Sequence, residues 1–380
     1  MIDQVPSALC SGCRACEAVC PHKAIDFVEG EDRFLYPQAG KGCVSCGLCL
    51  AVCPVMNETV RVDRESIQLT AAQNHNAAIL EKSSSGGVFF ELARMVVEGG
   101  GVVFGAAWDK DFRLKHQAVS DVSALSALMG SKYVQSDTAG CYPHVKSVLD
   151  DGRDVLFSGT PCQVRGLLAF LRKDYANLYT VDVVCHGVPS QDSFDRYIAA
   201  CRKKVGSALT KIDFRSKSSG WRNFSVRLEF ENGTVMENTV RDDLFMRAFL
   251  KNLTLRRSCY QCRANDYRSG SDITLGDFWN IEKIGNGYSD DRGVSGVMLK
   301  TEKGKRLFSR LYSNFILETH PLSDFVKYNV VVETSVKQPE KRETYLRLLA
   351  SKSFERLDGR FVCSSRKEAL KRRIKKIIRR

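Results

Sequence analysis

Between about Ile67 and Val205 the hydrophobic positions switch repeatedly between a helical period and short apolar runs, so this stretch predicts alternating helices and strands. Ser83 to Glu98 reads as a Ser/Gly turn followed by an apolar helix, and Gly101 to Ala107 reads as a strand. Asp154 to Ser158 and Leu178 to Val184 have strand length and strand composition. Helical stretches follow each of them, at Gln163 to Arg172 and Gln191 to Lys204. Alternation of this kind predicts an α/β layer architecture with parallel strand pairs. From Lys211 to Thr239 the period shifts towards two, with Glu231-Asn232-Gly233 as the turn of a hairpin, so an antiparallel insertion is expected within the α/β core. A further strand at Asp272 to Gly276, a Gly-rich loop at Gly285 to Gly296, and a strand and helix over Val297 to Tyr312 complete the pattern.

The first 60 residues have a different character. Cys10-Ser-Gly-Cys13-Arg-Ala-Cys16-Glu-Ala-Val-Cys20-Pro21 repeats as Cys43-Val-Ser-Cys46-Gly-Leu-Cys49-Leu-Ala-Val-Cys53-Pro54, with every cysteine in register. A polar passage from Asn57 to Ser66 reads as a linker. The predicted organisation is therefore 1–60, 67–320 and an extension, 321–380, that ends in a basic tail. At 380 residues the chain exceeds the size at which single cores stop growing, which agrees with several domains.

No apolar run approaches the ~18 residues of a membrane span, and Met1 to Leu9 lacks the basic and apolar regions of a secretory signal. A cytoplasmic location is the expectation. Fifteen cysteines in a reducing compartment cannot be a disulfide framework, which leaves metal or cluster ligation. The net charge of +13 is concentrated in Ser364 to Arg380, with nine Lys/Arg against one Glu, while residues 1–60 are acidic. No continuous basic footprint runs through the body, so nucleic acid is not an expected partner. In the tail, Leu370, Ile374, Ile377 and Ile378 form one helical stripe amid Lys and Arg, a pattern suited to peripheral contact with an anionic membrane or to an acidic partner.

The C-x-x-C-x-x-C-x-x-x-C-P run is the ligand pattern of bacterial-type [4Fe-4S] proteins, in which three thiolates of one loop and a fourth cysteine from the other half hold each cubane. One cluster then takes Cys10, Cys13, Cys16 and Cys53, and the second takes Cys43, Cys46, Cys49 and Cys20. Structural zinc sites have no use for the third and fourth cysteines at these offsets. A bacterial ferredoxin-like head that conducts electrons is expected. One-electron clusters beside a two-electron donor call for a flavin. Ser83-Ser84-Ser85-Gly86-Gly87 ahead of a helix is either a pyrophosphate cradle or an ordinary N-cap. It is neither a dinucleotide-binding G-x-G-x-x-G nor a Walker A motif.

Five ordered strings follow the head: Gly130-Ser-Lys-Tyr-Val-Gln-Ser136, Phe157-Ser-Gly-Thr-Pro-Cys-Gln163, Val184-Cys-His-Gly-Val-Pro-Ser190, Cys259-Tyr-Gln-Cys262 and Asp272-Ile-Thr-Leu-Gly-Asp-Phe-Trp279. Together they resemble the family of coenzyme F420 hydrogenase and dehydrogenase beta subunits, over about residues 5 to 320. The resemblance implies a flavoprotein carrying FAD and a [4Fe-4S] cluster in the middle domain, which passes electrons between reduced coenzyme F420 and ferredoxin-type clusters, with a ferredoxin or a redox subunit as partner. It assigns Cys162, Cys185, Cys259 and Cys262 to the middle cluster. The residues agree, since Cys162 and Cys185 each follow an apolar strand, where open α/β sheets place their ligand crevice. The resemblance also makes Ser85, Gly86 and Gly87 phosphate contacts of FAD and turns Lys132 and Tyr133 towards the cofactor. Thr160, Gln163 and His186 flank cluster ligands, in reach of sulfur or flavin. Catalytic acid–base residues are not identified, and hydride transfer to a flavin needs none. The resemblance does not fix the electron partner: a reductase of a sugar or other metabolite in polysaccharide synthesis, and a non-catalytic cluster-bearing subunit, are the alternatives.

Overall fold

The computed structural model describes residues 1–57 and 61–362. The basic tail at 368–380 and Cys363 lie outside the described residues. Thirteen strands occur among those described: β1 (Ile25–Glu29), β2 (Leu35–Ala39), β3 (Gln68–Asn74), β4 (Val102–Trp108), β5 (Leu114–Val119), β6 (Val155–Gly159), β7 (Leu178–Val183), β8 (Leu209–Ser216), β9 (Ser225–Phe230), β10 (Val235–Thr239), β11 (Ile273–Asp277), β12 (Ser295–Leu299) and β13 (Phe315–His320). Eight of them form one mixed sheet in the order β13-β3-β12-β11-β7-β6-β4-β5. Its centre, β4, β6, β7 and β11, is parallel, and its flanks are antiparallel. The fold is thus α/β with an antiparallel insertion, β8-β9-β10, as the change of period predicts.

The alternation of side chains along the central strands fills a layer on each face. Val103, Leu156, Val181 and Ile273 pack with the helices Val88–Glu98 and Glu302–Ser309. Val102, Phe104, Val155 and Phe157 pack with Cys141–Asp150 and Pro161–Leu171, and this second core also takes in Cys13, Ala15 and Val52 of the head. The head, with its β1–β2 hairpin, is therefore fused to the sheet's helical layer instead of hanging from a linker. The passage after Asn57 is held too: Val62 N–H donates to the Tyr267 carbonyl at 3.2 Å, and Arg61 pairs with Asp266 at 2.8 Å. The C-terminal segment likewise joins the body, with Tyr345, Leu349, Phe354 and Leu357 buried against the β8-β9-β10 layer. Cys141 and Cys201 are buried in these cores. Among the described residues no helix is long and apolar enough to cross a membrane.

Candidate functional site

The parallel strands deliver the chemistry at their carboxyl ends. β6 runs into Thr160, whose N–H donates to Gln163 Oε1 at 3.0 Å in a capping box, and Pro161 opens the helix Pro161–Leu171 with Cys162 in its first turn. β7 ends one strand over, and Cys185 and His186 follow it. The third contribution is the 3-10 turn Arg257–Gln261, where Cys259 N–H donates to the Arg256 carbonyl at 3.0 Å, with Cys262 just beyond, its N–H on Ser335 Oγ at 2.9 Å. At Gly187 the backbone has a φ of +137° and a side chain would stand 3.2 Å from Cys259 Cβ, so glycine lets the two cysteine loops close on each other.

Cys162, Cys185, Cys259 and Cys262 line a single cavity. Burial raises the Cys162 thiol to about 11 and the Cys259 thiol to about 12, with repulsion from Cys262 adding to each. Cys185 is also pushed up, by burial and then by Cys259, Cys162 and Cys262. Thr160 Oγ1 lies 3.2 Å from Cys162 Sγ. Gln163 points elsewhere: its amide bonds the Thr160 cap and the Ser136 carbonyl, so it positions the helix instead of a cofactor.

The head brings its cysteines together in two sets. Burial raises Cys13 to about 12, reinforced by Cys10, Cys162 and Cys53, and Cys16 is raised by burial and by Cys13, Cys10 and Cys53. Cys20, Cys43, Cys46 and Cys49 line a second cavity at the outer end of the head, where Cys46 is exposed. The inner set touches the body directly: a Cβ added at Gly166 of the helix Pro161–Leu171 would lie 2.9 Å from Cys13 Sγ. The cavity of the middle cysteines also has Leu9, Ser11, Pro54 and Val55 of the head in its wall. The three thiol sets thus lie in the order outer head, inner head, middle domain. Among the described residues no three His, Cys, Asp or Glu side chains meet at one ion-sized position; four thiols around a cavity are the donor set of a cubane.

The Ser83–Gly87 turn lies across the sheet and is tied down by protein. Gly86 N–H donates to Ser295 Oγ at 2.9 Å, its carbonyl accepts from Asn74 N–H at 3.0 Å, and a Cβ there would stand 2.0 Å from the Ala72 carbonyl oxygen. Gly86 is required by packing, and its amide is not free for a phosphate. Gly87, at φ +83°, caps the helix Val88–Glu98, and Ser85 Oγ donates to the Val294 carbonyl at 2.7 Å. What surrounds the turn is cationic. Arg215 donates to the Ser84 carbonyl at 3.0 Å and grips Asp277 with both terminal nitrogens, at 2.8 and 3.1 Å. Its Nε is buried without a partner. Lys217 Nζ donates to the carbonyls of Leu80 (2.6 Å) and Ser85 (3.2 Å). Lys132 Nζ donates to those of Met129 (2.8 Å) and Gly130 (3.0 Å). Burial lowers Lys132 to about 7 and, with repulsion from Arg215, Lys217 to about 8. Arg215 and Lys217 escape a sequence reading because they sit at the end of a strand of the insertion, far along the chain from the Ser/Gly turn.

Tyr133 joins this region to the cysteine cavity. Its hydroxyl is 3.3 Å from Arg215 Nη1 and its ring packs edge-on to Phe249 at 5.1 Å, while His186, in the cavity wall, contacts the same Phe249 ring at 5.0 Å. His186 Nε2 donates to Asn252 Oδ1 at 2.6 Å, and burial lowers its pKa. The FAD-assigned residues thus fall into two groups, Ser85–Gly87 with Lys132 and Tyr133, and Thr160 with His186, joined through Phe249. Asp277 and Trp279 belong to the first group: Trp221 donates to Asp277 at 2.9 Å and stacks on Trp279 at 4.9 Å.

A thiol-lined cavity at the strand ends, coupled to two further thiol sets in the head, defines an iron–sulfur electron-transfer protein. Residues 9–57 match the 4Fe-4S dicluster domain, and residues 152–324 match the C terminus of the coenzyme F420 hydrogenase/dehydrogenase beta subunit. Over 366 residues the chain is 22% identical to a subunit of the F420H2 dehydrogenase of Methanosarcina mazei, covering 91% of this chain and 94% of that protein. A chain in a xenon-derivatised structure of the F420-reducing [NiFe] hydrogenase complex from Methanosarcina barkeri is 19% identical, with a TM-score of 0.46 over 80% of this chain and 94% of that one.

Proposed function

We propose that this protein is an FAD-dependent iron–sulfur oxidoreductase that passes electrons between a two-electron carrier, reduced coenzyme F420 or an equivalent, and a redox partner, through three [4Fe-4S] clusters. The carrying observation is the third set of four thiols, Cys162, Cys185, Cys259 and Cys262, in a cavity walled partly by the head. On this reading Cys10, Cys13, Cys16 and Cys53 hold the inner head cluster and Cys20, Cys43, Cys46 and Cys49 the outer one. The M. mazei relative, a subunit of an F420H2 dehydrogenase, supports F420 as the carrier.

The residues near the Ser83–Gly87 turn fit a flavin dinucleotide. Two lysines bonded only to carbonyls would be held in their charged form by a pyrophosphate, and the unpartnered Nε of Arg215, whose charge is paired with Asp277, is a spare donor for it. When bound, FAD supplies the two-electron to one-electron conversion. Lys132 and Lys217 would neutralise its phosphates, Arg215 Nε would donate to them, and Tyr133 and Phe249 would form an apolar wall towards His186. His186, its Nε2–H donating to Asn252 Oδ1, is disfavoured as a cation by burial and so would add an N–H donor and no charge beside Cys185.

Anaerobically purified, flavin-analysed protein mixed with F420H2 tests the reading. Bleaching of both flavin and cluster absorbance at a catalytically useful rate is the expected result. Protein that holds one FAD and all its iron, yet is reduced by a panel of nucleotide sugars or by nicotinamide and not by F420H2, would replace the carrier. Protein without any flavin would leave a cluster-bearing subunit.

A further inference from the structure

Arg256 lies three residues before Cys259 and is 1% exposed. Its Nε donates to the Cys10 carbonyl at 2.7 Å, and Nη1 to Gln135 Oε1 at 3.0 Å. Nη2 reaches the Leu35 carbonyl at 2.9 Å and Cys10 Sγ at 3.8 Å. The guanidinium also faces the rings of Tyr36, at 4.4 Å, and Phe34, at 5.3 Å. No carboxylate pairs with it among the described residues, because the nearby Asp32 is engaged by Arg342 at 3.0 Å and by Arg257 at 3.6 Å. Bringing a guanidinium out of water without a counter-charge is costly, and buried charges that persist are paired. The groups available to balance it are sulfurs. On one side is Cys10 of the inner head set, its Sγ 3.8 Å from Nη2; on the other, the Arg256 carbonyl accepts from Cys259 N–H at 3.0 Å, so the same residue is anchored in the loop that carries two thiols of the middle set.

We infer that Arg256 is a charge bridge between the inner head cluster and the middle cluster, its cation being the counter-charge of both and holding their reduction potentials above that of the outer head cluster. Adding an electron to a thiolate-ligated cluster adds negative charge, so a fixed buried cation a few ångströms from the sulfurs favours the reduced form. The outer set, lined by Met1, His22 and Val44, has no such buried cation in its wall among the described residues. Electrons would then settle on the inner pair and leave through the outer cluster as a partner draws them off. The half of this inference that concerns Cys10 rests on the dicluster domain alone, and the half that concerns the Cys259 loop rests on the proposed third cluster.

Redox titration of the full chain followed by electron paramagnetic resonance tests it, on the wild type, Arg256→Gln and Arg256→Lys, each with its iron counted. In Arg256→Gln the inner clusters should become harder to reduce while the outer cluster keeps its potential. Arg256→Lys, which keeps the charge and abandons the planar set of hydrogen bonds, should retain the wild-type spacing. Unchanged spacing in iron-replete Arg256→Gln overturns the inference. If Arg256→Gln fails to assemble its clusters, Arg256→Lys decides: a narrowed spacing in that variant shows that hydrogen bonding and not charge is at work, and overturns it as well. A wild-type count of about eight irons would remove the middle cluster, and the inner-against-outer comparison within the head would still read the effect of Arg256.

Discussion

The two halves of the cysteine repeat share every ligand spacing and even their backbone turns, yet one is built into the protein and the other is left at its surface. Arg14 and Gly47 take left-handed conformations at matching positions, with φ of 62° and 79°, and so do Gly12 and Ser45, with φ of 70° and 57°. At Gly12 a Cβ would stand 2.8 Å from Gln135 Nε2 and 2.9 Å from Arg256 Nη1, whereas at Gly47 nothing lies within 4 Å. Cys13 and Cys16 are buried, whereas Cys46 is exposed beside Val44, itself 61% exposed. The body of the protein, not the repeat, therefore decides which thiol set is enclosed and which is left at the surface.

The contrast breaks most severely at Gly166. A Val there would place its Cβ 2.7 Å from Cys13 Cβ and 2.9 Å from Tyr142 Oη. Gly166→Val should lose the inner head cluster, about four irons, and keep the outer one; loss of both clusters together on iron analysis would show that the halves do not behave separately.

Next in size is the buried pair that pins the head to the C-terminal segment. Arg342 is fully buried and donates to Asp32 at 3.0 Å and to the Leu255 carbonyl at 2.6 and 2.9 Å. Arg342→Ala should destabilise by about 3 kcal/mol, because Asp32 is left buried with the Tyr36 hydroxyl at 3.0 Å and Arg257 at 3.6 Å as its remaining partners. Hydrogen exchange should accelerate first in the β1–β2 hairpin, and uniform acceleration would contradict the role given to the pair.

Gly12→Ala and Gly47→Ala sharpen the comparison directly. Both substitutions meet the left-handed penalty of about 1 kcal/mol, and only Gly12→Ala adds a clash, worth a further ~1–3 kcal/mol. Equal losses in thermal unfolding would erase the distinction between docked and free halves.

The smallest effect is a proton linkage at the Ser/Gly turn. Burial holds Lys132 near 7 and Lys217 near 8, against an ordinary 10.5. Folded values below the unfolded one mean that the native state binds fewer protons between pH about 7 and about 10. The penalty of burying these lysines is therefore fullest at lower pH and is relieved as pH rises through that window. An anion seated among them favours the charged form, so FAD binding should take up a fraction of a proton at pH 8 and weaken at higher pH. Calorimetry in two buffers of different ionisation heat measures the uptake, and a value of zero would separate these lysines from the flavin.

Much of the site is legible along the chain because its ligands are local and chemically singular. Cysteines at fixed spacing cannot do ordinary core work, and Cys162 and Cys185 stand behind apolar strands whose parallel packing places them side by side. The cationic surroundings of the turn are hidden from the sequence, since Arg215 and Lys217 reach Ser84 and Ser85 only through a tertiary crossing. The role of Gly86 is hidden for the same reason: its amide is taken by Ser295, which is 209 residues away. Within the fold, β3 escapes a periodicity reading because Gln68-Leu-Thr-Ala-Ala-Gln-Asn74 is nearly polar, although it lies between β12 and β13 with Ala71 and Ala72 fully buried. Small side chains there let Gly86 and the turn approach the sheet, a close packing that hydrophobic periodicity does not register.

The central claim is the third cluster beside the inner one, and iron counting on anaerobically prepared wild type and Cys162→Ser tests it most directly. Three cubanes predict about twelve irons in the wild type and about eight in the variant, with the head clusters' signals intact. About eight irons in both proteins would contradict the account.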